Sequence, residues 1–147
     1  MRDSQEFRIF LHINNFDFDK IGEYLQTHKV KMIEIQRSRG YSLRDSLTID
    51  KVKKVIKVIR EVNKDVKIFI DNCYCEFVES TSPISVGANL IAGSLIKNPG
   101  GGLVPIGGYI CGTKECIENC AYRLTSPGLG KEVGASLGVT RDIAQGL

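Results

Sequence analysis

The sequence predicts an α/β fold in which helices flank a sheet with parallel strands. A strand rich in β-branched residues runs from Val30 to Gln36, and a second apolar strand runs from Val66 to Ile70. Between these strands, apolar residues recur at helical spacing at Ile49, Val52, Val55, Ile56, Ile59 and Val62. Thr48 can cap this helix. Strand, helix and strand in this order imply a right-handed crossover and a parallel pair.

Further elements are predicted on both sides of this unit. The expected strands are 7–13, 88–93 and 107–111, and a short helix follows Asp17 or Asp19, either of which can act as its cap. Thr113 can cap a helix that presents Cys116 and Cys120 one turn apart, as small core residues. Residues 125–130 read as a loop. The last segment, 131–147, starts with a helical pattern but is rich in glycine.

Composition excludes several classes of protein. The 147 residues suit one domain, and 42% apolar with 25% charged residues is typical of a globular protein. A net charge of +3 is too small to indicate nucleic acid or a membrane as a partner. The apolar runs are far shorter than the roughly 18 residues of a membrane helix. Residues 1–6 lack an apolar signal core, so we expect a cytoplasmic protein.

The cysteines do not predict a disulfide framework or a metal site. There are five of them, an odd number, which together with the missing signal favours free thiols. The spacings Cys73-x-Cys75 and Cys116-x-x-x-Cys120 do not match a recognisable zinc motif, and neither of the two histidines lies near them.

Polar side chains follow two of the predicted strands. Asp71 ends one strand, Ser94 and Lys97 follow a later one, and Tyr74 lies between them in the chain. The ends of both strands should meet at one edge of the sheet. A lysine there can hold an aldehyde as a Schiff base if desolvation makes it less basic than a surface lysine. Alternatively, 92–102 is a turn with a solvated lysine.

Pyridoxal phosphate (PLP) needs the groups that this edge offers. Its aldehyde needs a lysine, its ring nitrogen a carboxylate, and its phosphate hydroxyls and backbone N–H groups. Asp-x-x-Tyr at one strand end, followed by Ser-x-x-Lys on a later strand, is similar to the pattern of fold-type I PLP-dependent enzymes of the aspartate aminotransferase superfamily. More narrowly, the aluminium-resistance or methionine γ-lyase-like family of these enzymes resembles this chain in the stretches 35–42, 71–79, 87–102, 121–128 and 130–135.

The resemblance implies roles for individual residues. Lys97 would form the internal aldimine, Asp71 would face the pyridine nitrogen, Tyr74 would reach the ring hydroxyl, and Ser94 would reach the phosphate. Enzymes of this kind cleave sulfur amino acids at the β or γ carbon, and the released lysine amine acts as general base. Candidates for binding a substrate carboxylate are Arg37, Arg39 and Arg123. The alternative for Arg37 and Arg39 is an exposed loop with solvated side chains.

The resemblance also bears on domain organisation. Members of the family are much longer, so residues 1–147 would be a single partial PLP-binding large domain. It would belong to the mixed, mostly parallel sheet of that fold, without the N-terminal part and the C-terminal small domain. We expect a small amino acid as substrate and a homo-oligomer in the full-length family. Cys75 stands where glycine is expected, and it would strain the loop if that position needs a positive φ.

Two alternatives to a PLP-dependent lyase segment remain open at this point. The chain could be a non-catalytic remnant or interaction module that retains the α/β core, because part of the expected pocket lies outside it. A nucleotide-binding domain with Gly100–Gly102 as its phosphate loop fits badly, because a P-loop places its lysine after the glycines and follows it with Ser or Thr.

Overall fold

A computed structural model describes residues 11–12, 15–124, 128–132, 134 and 138–147. The strands are β1 (Leu11–His12), β2 (Asn15–Phe16), β3 (Met32–Gln36), β4 (Lys67–Asp71), β5 (Leu90–Ser94) and β6 (Gly108–Gly112). The helices are α1 (Phe18–Thr27), α2 (Ile49–Val62), α3 (Lys114–Leu124) and α4 (Thr140–Gly146), with single 3-10 turns at Ile84–Val86 and Asn98–Gly100.

Four strands form the main sheet in the order β3-β4-β5-β6. The pairs β3–β4 and β4–β5 are parallel, and β5–β6 is antiparallel. The prediction of a mixed, mostly parallel sheet is therefore confirmed. Since β6 runs the opposite way, its first residue lies at the edge where β4 and β5 end. Gly108 accordingly pairs with Ser94, the last residue of β5.

The start of the chain differs from the prediction. Strands β1 and β2 form a separate antiparallel pair, with Leu11 opposite Phe16. Asn15, which lies beyond the predicted strand 7–13, therefore belongs to a strand of its own. Residues 7–10 and 13 of the predicted first strand lie outside the described residues.

One face of the main sheet carries the core. Helix α2 presents its apolar stripe to this face and α1 packs beside it. Thr48 and Asp17 cap the two helices, accepting hydrogen bonds from Lys51 N (3.3 Å) and Lys20 N (3.1 Å) as predicted. The core consists of Ile21, Leu25, Ile35, Leu47, Val52, Val55, Ile56, Ile59, Val66, Ile68, Ile70, Ala88 and Ile91.

The opposite face of the sheet is more exposed, and Met32 on β3 is 57% exposed. Helix α3 begins near the amino end of β4, where Lys67 Nζ lies 2.7 Å from Glu115 Oε2. Within the described ranges, no helix combines the length and the apolar character that crossing a membrane requires.

Only part of the last predicted segment is helical. Residues 128–131 form a turn, and α4 begins at Thr140. Residues 125–127, 133 and 135–137 lie outside the described part, including three residues of the predicted loop 125–130. Helix α4 packs against the 3-10 turn that follows Lys97, where Gly146 meets Gly100 with no room for a Cβ on either residue.

The antiparallel pairing of β6 generates a test of the fold. A Cβ on Gly112 would lie 3.0 Å from Leu90 Cα and closer still to the carbonyl oxygen of Asn89, so the backbone itself would have to move. We expect Gly112→Ala to lower the free energy of unfolding by about 1–3 kcal/mol, the usual cost of overpacking. Urea unfolding followed by circular dichroism measures this change.

Gly22→Ala is the matched control. A Cβ at this position in α1 meets nothing within 4 Å. Alanine has the higher helix propensity, so stability should rise by about 0.5–1 kcal/mol. Equal effects of the two substitutions would contradict the register of β5 and β6.

Candidate functional site

The carboxyl edge of the sheet brings Lys97 and Tyr74 together. β4 ends at Asp71 and β5 ends at Ser94, so the segments after both strands leave the sheet at the same edge. Lys97 Nζ lies 4.3 Å from the centroid of the Tyr74 ring, which is a cation–π contact. The segments that follow β4 and β5 therefore lie close together, as the sequence predicts.

Asp71 is half-buried and tied to the start of the following loop. Its Oδ1 accepts a hydrogen bond from Cys73 N at 3.0 Å, and its carbonyl oxygen accepts one from Arg37 N at 3.0 Å. The carboxylate is thus held in place by the backbone rather than by a cationic side chain.

We call residues Asn72–Glu79 the tyrosine loop. Within it, Tyr74 (φ 65°) and Phe77 (φ 62°) adopt the left-handed conformation, which is uncommon for residues other than glycine. Cys75 does not share this conformation and is buried at 8% exposure. The condition for strain at Cys75 is therefore not met, and the strained positions are Tyr74 and Phe77 on either side of it.

The basicity of Lys97 also differs from the expectation. Desolvation lowers the pKa of Lys97, but a hydrogen bond with Cys73 and the charges of Cys73, Tyr74 and Asp71 raise it, and the net shift is upward. The condition of a less basic amine is therefore not met in this environment. Burial raises the pKa of Cys73, as does its hydrogen bond with Asp71, whereas Lys97 lowers it.

Arg37 clamps the tyrosine loop at both ends. Only 2% of Arg37 is exposed. Its Nη1 donates to Asn72 Oδ1 at 2.7 Å, its Nη2 donates to Glu79 Oε2, and its Nε donates to Leu47 O at 3.2 Å. A guanidinium engaged on all three nitrogens favours a structural role for Arg37 over the predicted binding of a substrate carboxylate.

Glu79 also binds the amino end of helix α2. Both of its carboxylate oxygens accept from Ile49 N, at 3.0 and 3.1 Å, at the amino end of α2. A negative charge is favourable there because of the helix dipole. The end of the tyrosine loop is thus fixed to α2 as well as to Arg37.

The other predicted site residues are not joined to this cluster by described contacts. Arg39 is exposed in the loop after β3, and Arg123 is exposed in the last turn of α3. Ser94 is half-buried at the end of β5. Their binding roles stay predictions. Among the described residues, no group of three or more His, Cys, Asp or Glu side chains could hold a metal ion.

Sequence reasoning missed Tyr109 and Glu76. The Tyr109 hydroxyl accepts from Asn72 Nδ2 at 3.0 Å and donates to Glu76 Oε1 at 2.9 Å. Burial raises the pKa of Tyr109 well above its ordinary value, so the hydroxyl keeps its proton. The strand pattern around Tyr109 was recognised, but no sequence spacing indicates its partners, which lie 37 and 33 residues away.

Asn98 links the lysine segment to the tyrosine loop. Its Nδ2 donates to the carbonyl oxygen of Glu76 at 3.1 Å. Because Asn98 directly follows Lys97, this bond fixes the two segments that carry the lysine and the tyrosine relative to one another.

The family model for methionine gamma-lyase matches residues 7–147. The chain belongs to the methionine gamma-lyase family. Family membership agrees with the resemblance found in the sequence. The family's curated relatives include a protein of Bacillus subtilis, YnbB, which is 50% identical over 88% of this chain. A 33.9 kDa protein of Lactobacillus delbrueckii subsp. bulgaricus is 46% identical over 82% of it.

Solved structures in the comparison share the fold. A candidate cystathionine beta-lyase involved in aluminum resistance from Clostridium acetobutylicum is 48% identical over 93% of this chain, with a TM-score of 0.87. A carbon-sulfur lyase involved in aluminum resistance from Clostridium novyi is 45% identical over 90%, with a TM-score of 0.83. The chain spans 33% and 31% of these two proteins, and 31% and 40% of the curated relatives.

The clamp generates a stability prediction. Arg37→Lys cannot replace the three-way contact of the guanidinium, so we expect a loss of about 2–4 kcal/mol in the free energy of unfolding, in the range for buried charged hydrogen bonds. Chemical denaturation measures it. Arg39→Lys, an exposed control in the same loop, should change stability by less than about 0.5 kcal/mol. If Arg37→Lys leaves the free energy of unfolding unchanged, Arg37 does not anchor the two ends of the tyrosine loop.

The pKa of the Cys73 thiol depends on the charges around Lys97 and can be used to detect them. Lys97→Met removes a group that lowers the pKa of Cys73, so this pKa should rise. Asp71→Asn removes a group that raises it, so the pKa should fall. The pH dependence of alkylation by iodoacetamide measures both shifts in a background where the other four cysteines are replaced by alanine. Shifts of the same sign would contradict the described cluster.

Proposed function

We propose that this chain is the lysine-bearing segment of a PLP-dependent carbon–sulfur lyase that acts on sulfur amino acids of the cysteine or methionine type. The observation that carries the proposal is the contact of Lys97 with Tyr74 at the edge where β4 ends in Asp71. Family membership and the names of the lyases from Clostridium support the reaction class.

The residues at this edge fit the chemical groups of PLP. Lys97 supplies the amine that would hold the aldehyde carbon, and Asp71 supplies a carboxylate that would keep a proton on the pyridine nitrogen. The segment after Lys97 is rich in glycine, and Gly101 (φ 54°) and Gly102 (φ 80°) adopt the left-handed conformation there. Ser94 would add a hydroxyl toward the phosphate.

PLP, when bound, acts as an electron sink that makes the α proton of an amino acid acidic and lets a sulfur leaving group depart. The residues of this chain would contribute proton transfer and positioning to that chemistry. Lys97 Nζ would accept the α proton as general base once its own proton is lost. Tyr74 holds the protonated form of Lys97 at the carboxyl edge through the cation–π contact, and Asp71 adds negative charge beside it.

The raised pKa of Lys97 affects the rate at which this lysine would react with PLP. An ammonium group cannot attack an aldehyde, and the neighbours of Lys97 favour the ammonium form. The fraction of free amine grows with pH, so PLP should bind this lysine faster as the solution becomes more alkaline. The pyridoxal phosphate itself carries negative charge, which a protonated lysine attracts in the encounter.

Substrate contacts, assembly and compartment belong to the same proposal. Arg39 and Arg123 remain the candidates for a substrate carboxylate, and we propose a homo-oligomer in the cytoplasm for the full-length family. Because the chain spans about a third of the relatives it matches, the catalytic activity is proposed for the whole protein.

The lysine assignment predicts a specific covalent product. The chain is incubated with pyridoxal phosphate, reduced with borohydride and digested, and mass spectrometry locates the added pyridoxyl group. We expect the modification at Lys97 and a loss of the absorbance band of the bound cofactor in Lys97→Ala. The yield of the product should increase with pH, because the free amine is the reactive form.

Lys64→Ala is the control, because Lys64 is exposed just before β4, at the end of that strand opposite to Asp71. This variant should give the same modification as the parent chain. If modification is spread over exposed lysines, or if Lys97→Ala retains the band, Lys97 is not the cofactor lysine. In that case the alternative of a non-catalytic module that keeps the α/β core takes its place.

A further inference from the structure

We propose that Tyr109 is a positioning residue, which holds the tyrosine loop so that Tyr74 stays against Lys97. The inference rests on the proposed function of Lys97 and extends it to a strand with no predicted site residue. Tyr109 touches neither Lys97 nor Tyr74 through any described contact. Its influence is carried through Asn72 and Glu76, the two loop residues that its hydroxyl joins.

A row of polar side chains crosses the sheet just beyond its apolar core. Arg37 directly follows β3, Asn72 directly follows β4, and Tyr109 lies in β6. Gly93 of β5 lies between Asn72 and Tyr109 in the register of the ladder. In this row, Arg37 donates to Asn72, Asn72 donates to Tyr109, and Tyr109 donates to Glu76. All three hydrogen bonds run in one direction, from the guanidinium to a carboxylate.

Gly93 makes this row possible. It lies opposite Tyr109 in the ladder, and a Cβ at Gly93 would overlap the ring of Tyr109 and Oε1 of Glu76. The missing side chain leaves space in which Glu76 folds back from the loop under β5. Glu76 is 7% exposed, and its Oε1 finds the Tyr109 hydroxyl there. Its Oε2 is buried without a partner among the described residues.

The tyrosine loop needs such a restraint. The left-handed conformations of Tyr74 and Phe77 lie on either side of Glu76 and cost free energy that surrounding contacts must offset. Tyr74 and Phe77 are themselves 59% and 75% exposed, so burial of their own side chains holds them only weakly. Glu76 is the anchored residue between them, since its side chain meets Tyr109 and its carbonyl oxygen meets Asn98.

Tyr109→Phe isolates the hydroxyl, because it keeps the ring that fills the space opposite Gly93. The first measurement needs no cofactor. Cys75 N donates to Asn72 O at 3.0 Å inside the loop, so hydrogen exchange of this amide reports the loop's opening. We expect exchange at least about tenfold faster than in Tyr122→Phe, because both hydrogen bonds of the hydroxyl to the loop are lost. Tyr122 is exposed on α3 and serves as the control.

The second measurement separates positioning from general destabilisation. In the presence of pyridoxal phosphate, the absorbance of the lysine-linked chromophore is followed against pH. We expect the titration midpoint of this chromophore to move in Tyr109→Phe, because Tyr74 and Lys97 are no longer held in one arrangement. Val55→Ala lowers stability through the core of α2, far from the loop, and should leave the midpoint unchanged.

The outcomes are distinct. The inference is overturned if Cys75 exchanges in Tyr109→Phe as slowly as in Tyr122→Phe, or if Val55→Ala moves the chromophore midpoint as much as Tyr109→Phe does. If the parent chain forms no chromophore with pyridoxal phosphate, the proposed function fails. The exchange measurement then still decides whether Tyr109 holds the loop.

Discussion

The buried guanidinium of Arg37 is the contact on which the arrangement of the carboxyl edge depends. It binds Asn72 and Glu79, the first and last residues of the tyrosine loop, and thereby closes an eight-residue segment at both ends. Removing such a charge would leave polar groups unpaired in a place with little access to water, which costs more than the contact itself contributes. The same Glu79 also satisfies the first N–H of α2, so loop, sheet and helix share one anchor.

Beyond Arg37, the polar side chains at this edge of the sheet are held in place by hydrogen bonds and not by apolar packing. The row from Arg37 through Asn72 and Tyr109 to Glu76 sits at the boundary between the core and the exposed edge. The buried members Arg37, Asn72 and Glu76 are held by the hydrogen bonds of this row, while Oε2 of Glu76 has no partner among the described residues. The contact between the exposed Tyr74 and the half-buried Lys97 is built on this row, and strain at Tyr74 can persist because its neighbours are fixed.

The neighbours of Lys97 decide its protonation. A hydrogen bond with Cys73 and the charges of Cys73, Tyr74 and Asp71 together outweigh desolvation and favour the ammonium form. Desolvation is the largest single influence on this pKa and acts in the opposite direction. A bound phosphate ester and the parts of the longer relatives that lie beyond this chain would change that environment, so the basicity of Lys97 in the whole protein depends on what covers the edge.

The sequence by itself determined the local elements and the meeting of the segments that follow β4 and β5. Helix α2 follows from the spacing of its apolar residues and from Thr48. Asp71 and Lys97 follow the ends of two apolar strands, and parallel strands end at one edge. Tertiary structure decided the rest, because those contacts join residues far apart in the chain. Arg37 is buried by partners 35 and 42 residues away, and Tyr109 reaches the edge only because β6 is antiparallel. The raised pKa of Lys97 likewise depends on neighbours that no spacing reveals, since electrostatic energies are set by distance in space and not along the chain.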